Sequence, residues 1–293
     1  MATRSDSWTI VSFLALCVLL SSLGWAAIIL SGHVSGAAGH YVEGLMWAPA
    51  IAAFLTVYIR RLDVQSLGLA WGSGRYALLG YALPLAYGLI AYVLVWSLGG
   101  GAFPNPAAIP AISAHLGWRL TEPGLFVAAY FPLIATTGMI SSLAHALGEE
   151  IGWRGFLAPR MVGRFGFTTG SILTGLIWTA WHFPILLFAD YNSGTPWWFS
   201  MPCFAVMVVS ISIILTWLRL RSNSVWPCAI FHASHNLFIQ AFFTPLTGAR
   251  GSITPYLIDE FGIAVPCVAV IFAIVFWLRR NPSAGASVLT VAA

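Results

Sequence analysis

Apolar runs of about 18 or more residues recur along the whole chain, the length a helix needs to cross a bilayer. Eight segments can be placed, at roughly 9–31, 43–60, 76–99, 124–147, 167–189, 197–218, 225–243 and 257–278. Turn-forming stretches separate them, among them "SGHVSGAAGH", "GGGAFPNPAAIP" and "DYNSGTP". The pattern predicts an all-α, polytopic transmembrane helical bundle of about eight spans, with residues 1–293 forming a single integral membrane domain. The first run, Thr9 to Ser31, exceeds the ~7–15 residues of a signal-peptide core and is read as a first spanning helix. Between the third and fourth spans, Ile109, Ile112, Leu116 and Leu120 recur at helical spacing beside Trp118, which predicts an interfacial helix. No internal repeat is visible, and the tail after Asn281 is short and expected to be disordered.

Charge orients this layout. The chain is 59% hydrophobic and 8% charged, and all thirteen basic residues are arginine. With the N-terminus inside, Arg4, Arg60, Arg61, Arg75, Arg154, Arg160, Arg164, Arg219, Arg221, Arg279 and Arg280 fall on one side, and only Arg119 and Arg250 on the other. That asymmetry satisfies the positive-inside rule and puts both termini in the cytoplasm of a multi-pass cell-membrane protein. Topology accounts for the basic balance, so no nucleic-acid partner is expected. The four cysteines, Cys17, Cys203, Cys228 and Cys267, lie in separate apolar runs and predict neither disulfides nor a zinc site.

Ionisable groups at membrane depth cost at least ~2.5–3.5 kcal/mol each and are retained for a reason. Three clusters stand out. In "HALGEEIGWRG", Glu150 and Arg154 are four apart and share a helix face, so they can pair. Glu149 points about 100° away, on a face shared with His145 and Trp153. An unpaired carboxylate in an apolar pocket suits general-base work. Taken alone, the segment reads equally well as a cytoplasmic flank. In "WTAWHFP", His182 lies deep in a span just before Pro184. In "FHASHN", His232 and Asn236 share one face, with His235 off it. That group could equally be interhelical hydrogen-bond glue. Together, a Glu–His pair can activate water and a His–Asn pair can donate to an oxyanion, with no covalent nucleophile needed.

Glu149–Arg154 fits E-E-x-x-x-R, Trp178–His182 resembles F-x-x-x-H, and His232–Asn236 fits H-x-x-x-N. In that order, these motifs resemble the CAAX prenyl protease 2 family, also called the CAAX protease and bacteriocin-processing family. Its members are eight-helix intramembrane endopeptidases. The resemblance implies that Glu149 and His182 polarise the attacking water, that His232 and Asn236 stabilise the oxyanion, and that Glu150 and Arg154 shape the site. Residues 124–243 would then hold the catalytic core helices. Trp178 replaces the commoner phenylalanine, an exchange expected to keep a packing role. His145 and His235 are not motif positions and are kept only as neighbours of the site.

The expected function is an intramembrane endopeptidase acting on a peptide or membrane-protein substrate near the cytoplasmic membrane face. No cofactor is expected; a zinc-dependent version would use Glu149, His182 and His232 as ligands. The rivals are a non-catalytic immunity or accessory protein and a proton-coupled transporter. The latter predicts inverted repeats, which are not seen.

Overall fold

A computed structural model describes residues 4–34, 36 and 39–280. The expected tail lies outside the described residues. The helices are α1 (Arg4–Ser31), α2 (Gly39–Ile59), α3 (Gly74–Ser97), α4 (Ile109–His115), α5 (Pro123–Leu133), α6 (Met139–Glu150), α7 (Ala158–Phe188), α8 (Trp197–Ser222), α9 (Trp226–His235), α10 (Thr254–Leu257) and α11 (Ala264–Leu278). The all-α bundle expected from the apolar runs is what forms.

Among the described residues, five helical stretches are long and apolar enough to cross a membrane: Ser7–Ser31, Gly39–Ile59, Gly74–Ser97, Pro123–Phe188 and Trp197–Ser222. The fourth is not one rod. At Gly166 the backbone leaves the helix (φ 76°, ψ 169°), a conformation that glycine adopts without a Cβ penalty, so α7 breaks there. Shorter rods follow at Trp226–Phe243 and Ala264–Leu278. Seven of the predicted segments fall on these rods. The eighth starts late: Ile258–Ile263 is irregular, and helix resumes only at Ala264. Two acidic residues, Asp259 and Glu260, therefore lie in a loop and not in a span.

Helices α1 and α2 form a hairpin, α2 packs on α6, α3 on α9, α7 on α8, and α11 on both α3 and α8. The predicted interfacial segment forms the short α4, with Ile109 buried and Ile112 and Leu116 against the core. A two-residue antiparallel pair, Gly101–Ala102 with Gly248–Ala249, ties the chain after α3 to the chain after α9.

Among the described residues, three helical segments open to the wider π geometry, at Ile134–Gly138, Ile151–Leu157 and Asn236–Phe243. The second begins directly after Glu150 and the third begins at Asn236, so two of the three motifs straddle the start of a π segment. Such segments re-aim side chains and are frequent at functional sites. Close packing places the segment Ile151–Leu157. A Cβ on Gly152 would lie 2.4 Å from Pro49 Cβ, so α2 approaches this turn more closely than any side chain permits.

Candidate active site

Glu149 and Glu150 are both buried, 2% and 0% exposed. They end α6 inside a continuous helical rod, which removes the reading of the segment as a solvated flank. Their surroundings differ. Glu150 Oε1 accepts from Arg154 Nη1 and lies against His232 Nδ1, both at 2.9 Å. The ion pair is fully enclosed, as the i, i+4 spacing predicts. Arg154 Nε and Nη2 have no hydrogen-bond partner; the guanidinium instead lies over the Trp178 ring, 4.1 Å from its centroid. The Arg154 carbonyl, in the π turn, accepts from Arg219 Nε at 3.1 Å. Arg219, counted above as a topology charge, is itself 4% exposed and bonds Ser66 O and Asn223 Oδ1 as well.

Glu149 takes a different set of partners. Its Oε2 accepts from Trp178 Nε1 at 2.7 Å and from Trp153 Nε1 at 3.3 Å. Trp178 therefore does more than pack. Its indole N–H holds the carboxylate, its face covers Arg154, and its ring meets that of His232 edge-on at 5.3 Å. A phenylalanine here could not donate. Reading the position by aromatic class alone missed this role.

His182 Nδ1 sits 2.9 Å from the Trp178 carbonyl. A carbonyl can only accept, so Nδ1 carries the proton and the neutral ring presents a bare Nε2. Trp181, Tyr191 and Phe204 pack around the ring. His232 is fixed through its other face: with Nδ1–H directed at Glu150, its Nε2 is a donor in the imidazolium form.

Glu149, His182, His232 and Asn236 all line one cavity of about 230 Å³. The four expected catalytic residues are thus brought together from three parts of the chain. His235 lines it too, but His145 does not. It turns outward towards Glu43, 3.6 Å away. Beyond the motifs, the cavity wall includes Tyr191, Gln240 and Glu260. Glu260 Oε1 accepts from the Tyr191 hydroxyl and from Gln240 Nε2 at 3.1 Å, and Oε2 lies 3.3 Å from His235 Nε2. The Tyr87 hydroxyl bonds the other nitrogen of that ring. Burial pushes the Glu260 carboxyl up, but the bond and charge of His235 and the Tyr191 hydroxyl outweigh it and hold it below the usual carboxylate range. The reasoning that singled out Glu149 and Glu150 would have found this group. Asp259 and Glu260 are likewise adjacent acids in a chain with only nine.

The cavity does not lie towards the arginine-bearing side, where a site near the cytoplasmic face was expected. Its half-exposed wall includes Val34 after α1, Val42 at the start of α2 and Tyr191 after α7, and Glu260 precedes α11. The arginines mark the opposite ends: Arg60 and Arg61 after α2, Arg164 before the second half of α7, Arg219 and Arg221 closing α8, and Arg279 after α11.

Zinc needs three protein donors converging at about 2 Å on one point. Among the described residues, no three His, Cys, Asp or Glu side chains are gathered to hold a metal ion. Glu149 Oε2 is engaged by two indoles.

Residues 131–238, which contain all three motifs, match the family described as Rce1-like, type II CAAX prenyl endopeptidase. The chain is also similar to a protein named CAAX prenyl protease 2 from Methanococcus maripaludis. The two are 31% identical over 102 residues, 32% of this chain and 36% of that protein. The chain therefore matches about a third of the length of this curated relative. The resemblance to the CAAX prenyl protease 2 family, first read from three short motifs, is borne out over residues 131–238.

Proposed function

We propose that this membrane protein is an intramembrane endopeptidase that hydrolyses peptide bonds of membrane-associated or C-terminal peptide substrates with a glutamate-activated water. One observation carries this reading: Glu149, His182, His232 and Asn236, from three helical rods, line a single cavity. In this reading a water sits between Glu149 and the bare Nε2 of His182. Glu149 takes its proton as the oxygen attacks the scissile carbonyl carbon. The carbonyl oxygen becomes an oxyanion and accepts from Asn236 Nδ2 and from the Nε2–H of the His232 imidazolium. Collapse of the tetrahedral carbon breaks the C–N bond, and the proton held by Glu149 passes to the leaving nitrogen. Glu150 and Arg154 take no part in proton transfer; they hold His232 and Trp178 in place. No step needs a metal.

The test is Glu149→Gln in purified, normally inserted protein. Cleavage of a peptide panel should vanish while the melting temperature stays close to that of the parent. Cleavage retained by this variant sinks the glutamate mechanism. A zinc-dependent version predicts that exhaustive chelation stops cleavage by the parent. An accessory role without catalysis predicts that its phenotype survives Glu149→Gln.

A further inference from the structure

The cavity wall is unusual in its charges. Among the described residues it contains two carboxylates, Glu149 and Glu260, three histidines, His182, His232 and His235, and no arginine or lysine. The nearest arginine of the motifs, Arg154, is fully buried, paired with Glu150 and covered by Trp178. It offers nothing to a ligand. A free carboxylate placed beside Glu260 would meet a like charge and no arginine or lysine.

Glu260 is positioned to matter to a ligand. It is 2% exposed, it stands at the end of the cavity away from the arginine-bearing helix ends, and three donors fix its orientation. The Tyr87 hydroxyl meets His235 Nδ1, and the ring turns its Nε2 to Glu260 as a donor. Three donors occupy three of the roughly four lone-pair positions of a carboxylate. One acceptor position remains.

We propose that Glu260, framed by Gln240 and Tyr191, is a cation-selecting subsite of this cavity, which takes the ammonium or guanidinium group of a peptide and rejects a carboxylate there. The substrate class is then a peptide with a lysine, arginine or free amino terminus close to the scissile bond, admitted from the face opposite the arginines. This inference rests on the reading of the cavity as a peptide site.

The experiment uses two readouts on the full-length protein in detergent. Peptides identical except for one position, carrying arginine, norleucine or glutamate, are bound to the non-cleaving Glu149→Gln variant and are turned over by the parent. Binding and KM should both favour the arginine peptide over the glutamate peptide by at least ~10-fold. In Glu260→Gln that ratio should fall to about 1, and Glu260→Asp should keep a preference of the same sign, which a purely structural anchor would not restore. An unchanged ratio in Glu260→Gln overturns the subsite, as does a parent indifferent to charge. If the parent binds with the expected preference but cleaves nothing, the subsite stands and the endopeptidase reading falls.

Discussion

Trp178 Nε1 donates to Glu149 Oε2 at 2.7 Å, joining two motifs 29 residues apart. The bond fixes the carboxylate that faces the cavity, and Trp153 adds only a longer one at 3.3 Å. Hydrogen bonds to a charged group contribute about 1.5–3 kcal/mol. Trp178→Phe keeps the ring over Arg154 and removes the donor. The variant should fold, and on the proposed mechanism kcat should fall roughly 10-fold with KM little changed. Steady-state kinetics on one peptide check this. An unaltered kcat would show that the indole N–H does not orient Glu149.

The enclosed pair of Glu150 and Arg154 makes a second prediction. Removing one partner of a buried pair leaves an uncompensated charge and costs about 3–5 kcal/mol, whereas replacing both with apolar groups of similar volume is often neutral. Arg154→Met should therefore melt far below the parent. Glu150→Leu combined with Arg154→Met should recover most of that loss. The double variant should still cleave poorly, because His232 Nδ1 loses the Glu150 carboxylate that holds its ring. Thermal melting and turnover of the three variants test this. Equal melting of the single and double variants would contradict it.

The rods were legible because hydrocarbon demands long apolar helices, and the motif residues because buried ionisable groups are rare in such a chain. What escaped reading has physical reasons too. The loop at Asp259 and Glu260 is flanked by apolar residues, so hydropathy runs through it and hides the late start of α11. The π turns after Glu150 and from Asn236 are set by packing, not by a local signal. The Trp178 bond to Glu149 depends on a rotamer and a partner on another rod, which residue class does not report. Arg219 looked like a topology charge because its carbonyl partners, Arg154 O and Ser66 O, come from distant segments.

Gly152 tests the packing that places the motif. A Cβ there would lie 2.4 Å from Pro49 Cβ and 2.8 Å from the Pro49 carbonyl, both on α2. Neither is the end of a flexible side chain, so the helices must separate. Overpacking of this kind costs about 1–3 kcal/mol. Gly152→Ala should lower the melting temperature and, because the shift falls beside Glu149 and Glu150, lower kcat as well. A Gly44→Ala control has no atom within 4 Å to meet and should do neither. Equal behaviour of the two variants would show that the contact with Pro49 does not set the site.

Asp259 supplies a pH dependence with a definite sign. It is buried, and burial together with the neighbouring Glu260 charge pushes its carboxyl up to about 7, against the hydrogen bond from Ser193. Its ordinary value is 3.8. Between these two values the folded protein holds a proton that the unfolded chain has released, so stability falls as pH rises from about 4 to about 7. The loss is on the order of a few kcal/mol. Asp259→Asn removes the charge and keeps an oxygen for Ser193. It should melt higher than the parent at pH 8 and show no gain at pH 4, so the difference between the two melting curves grows across that window. Asparagine also tolerates the left-handed backbone at this position, φ 68°, so the substitution adds no strain. A constant difference from pH 4 to 8 would mean that Asp259 is not the titrating group.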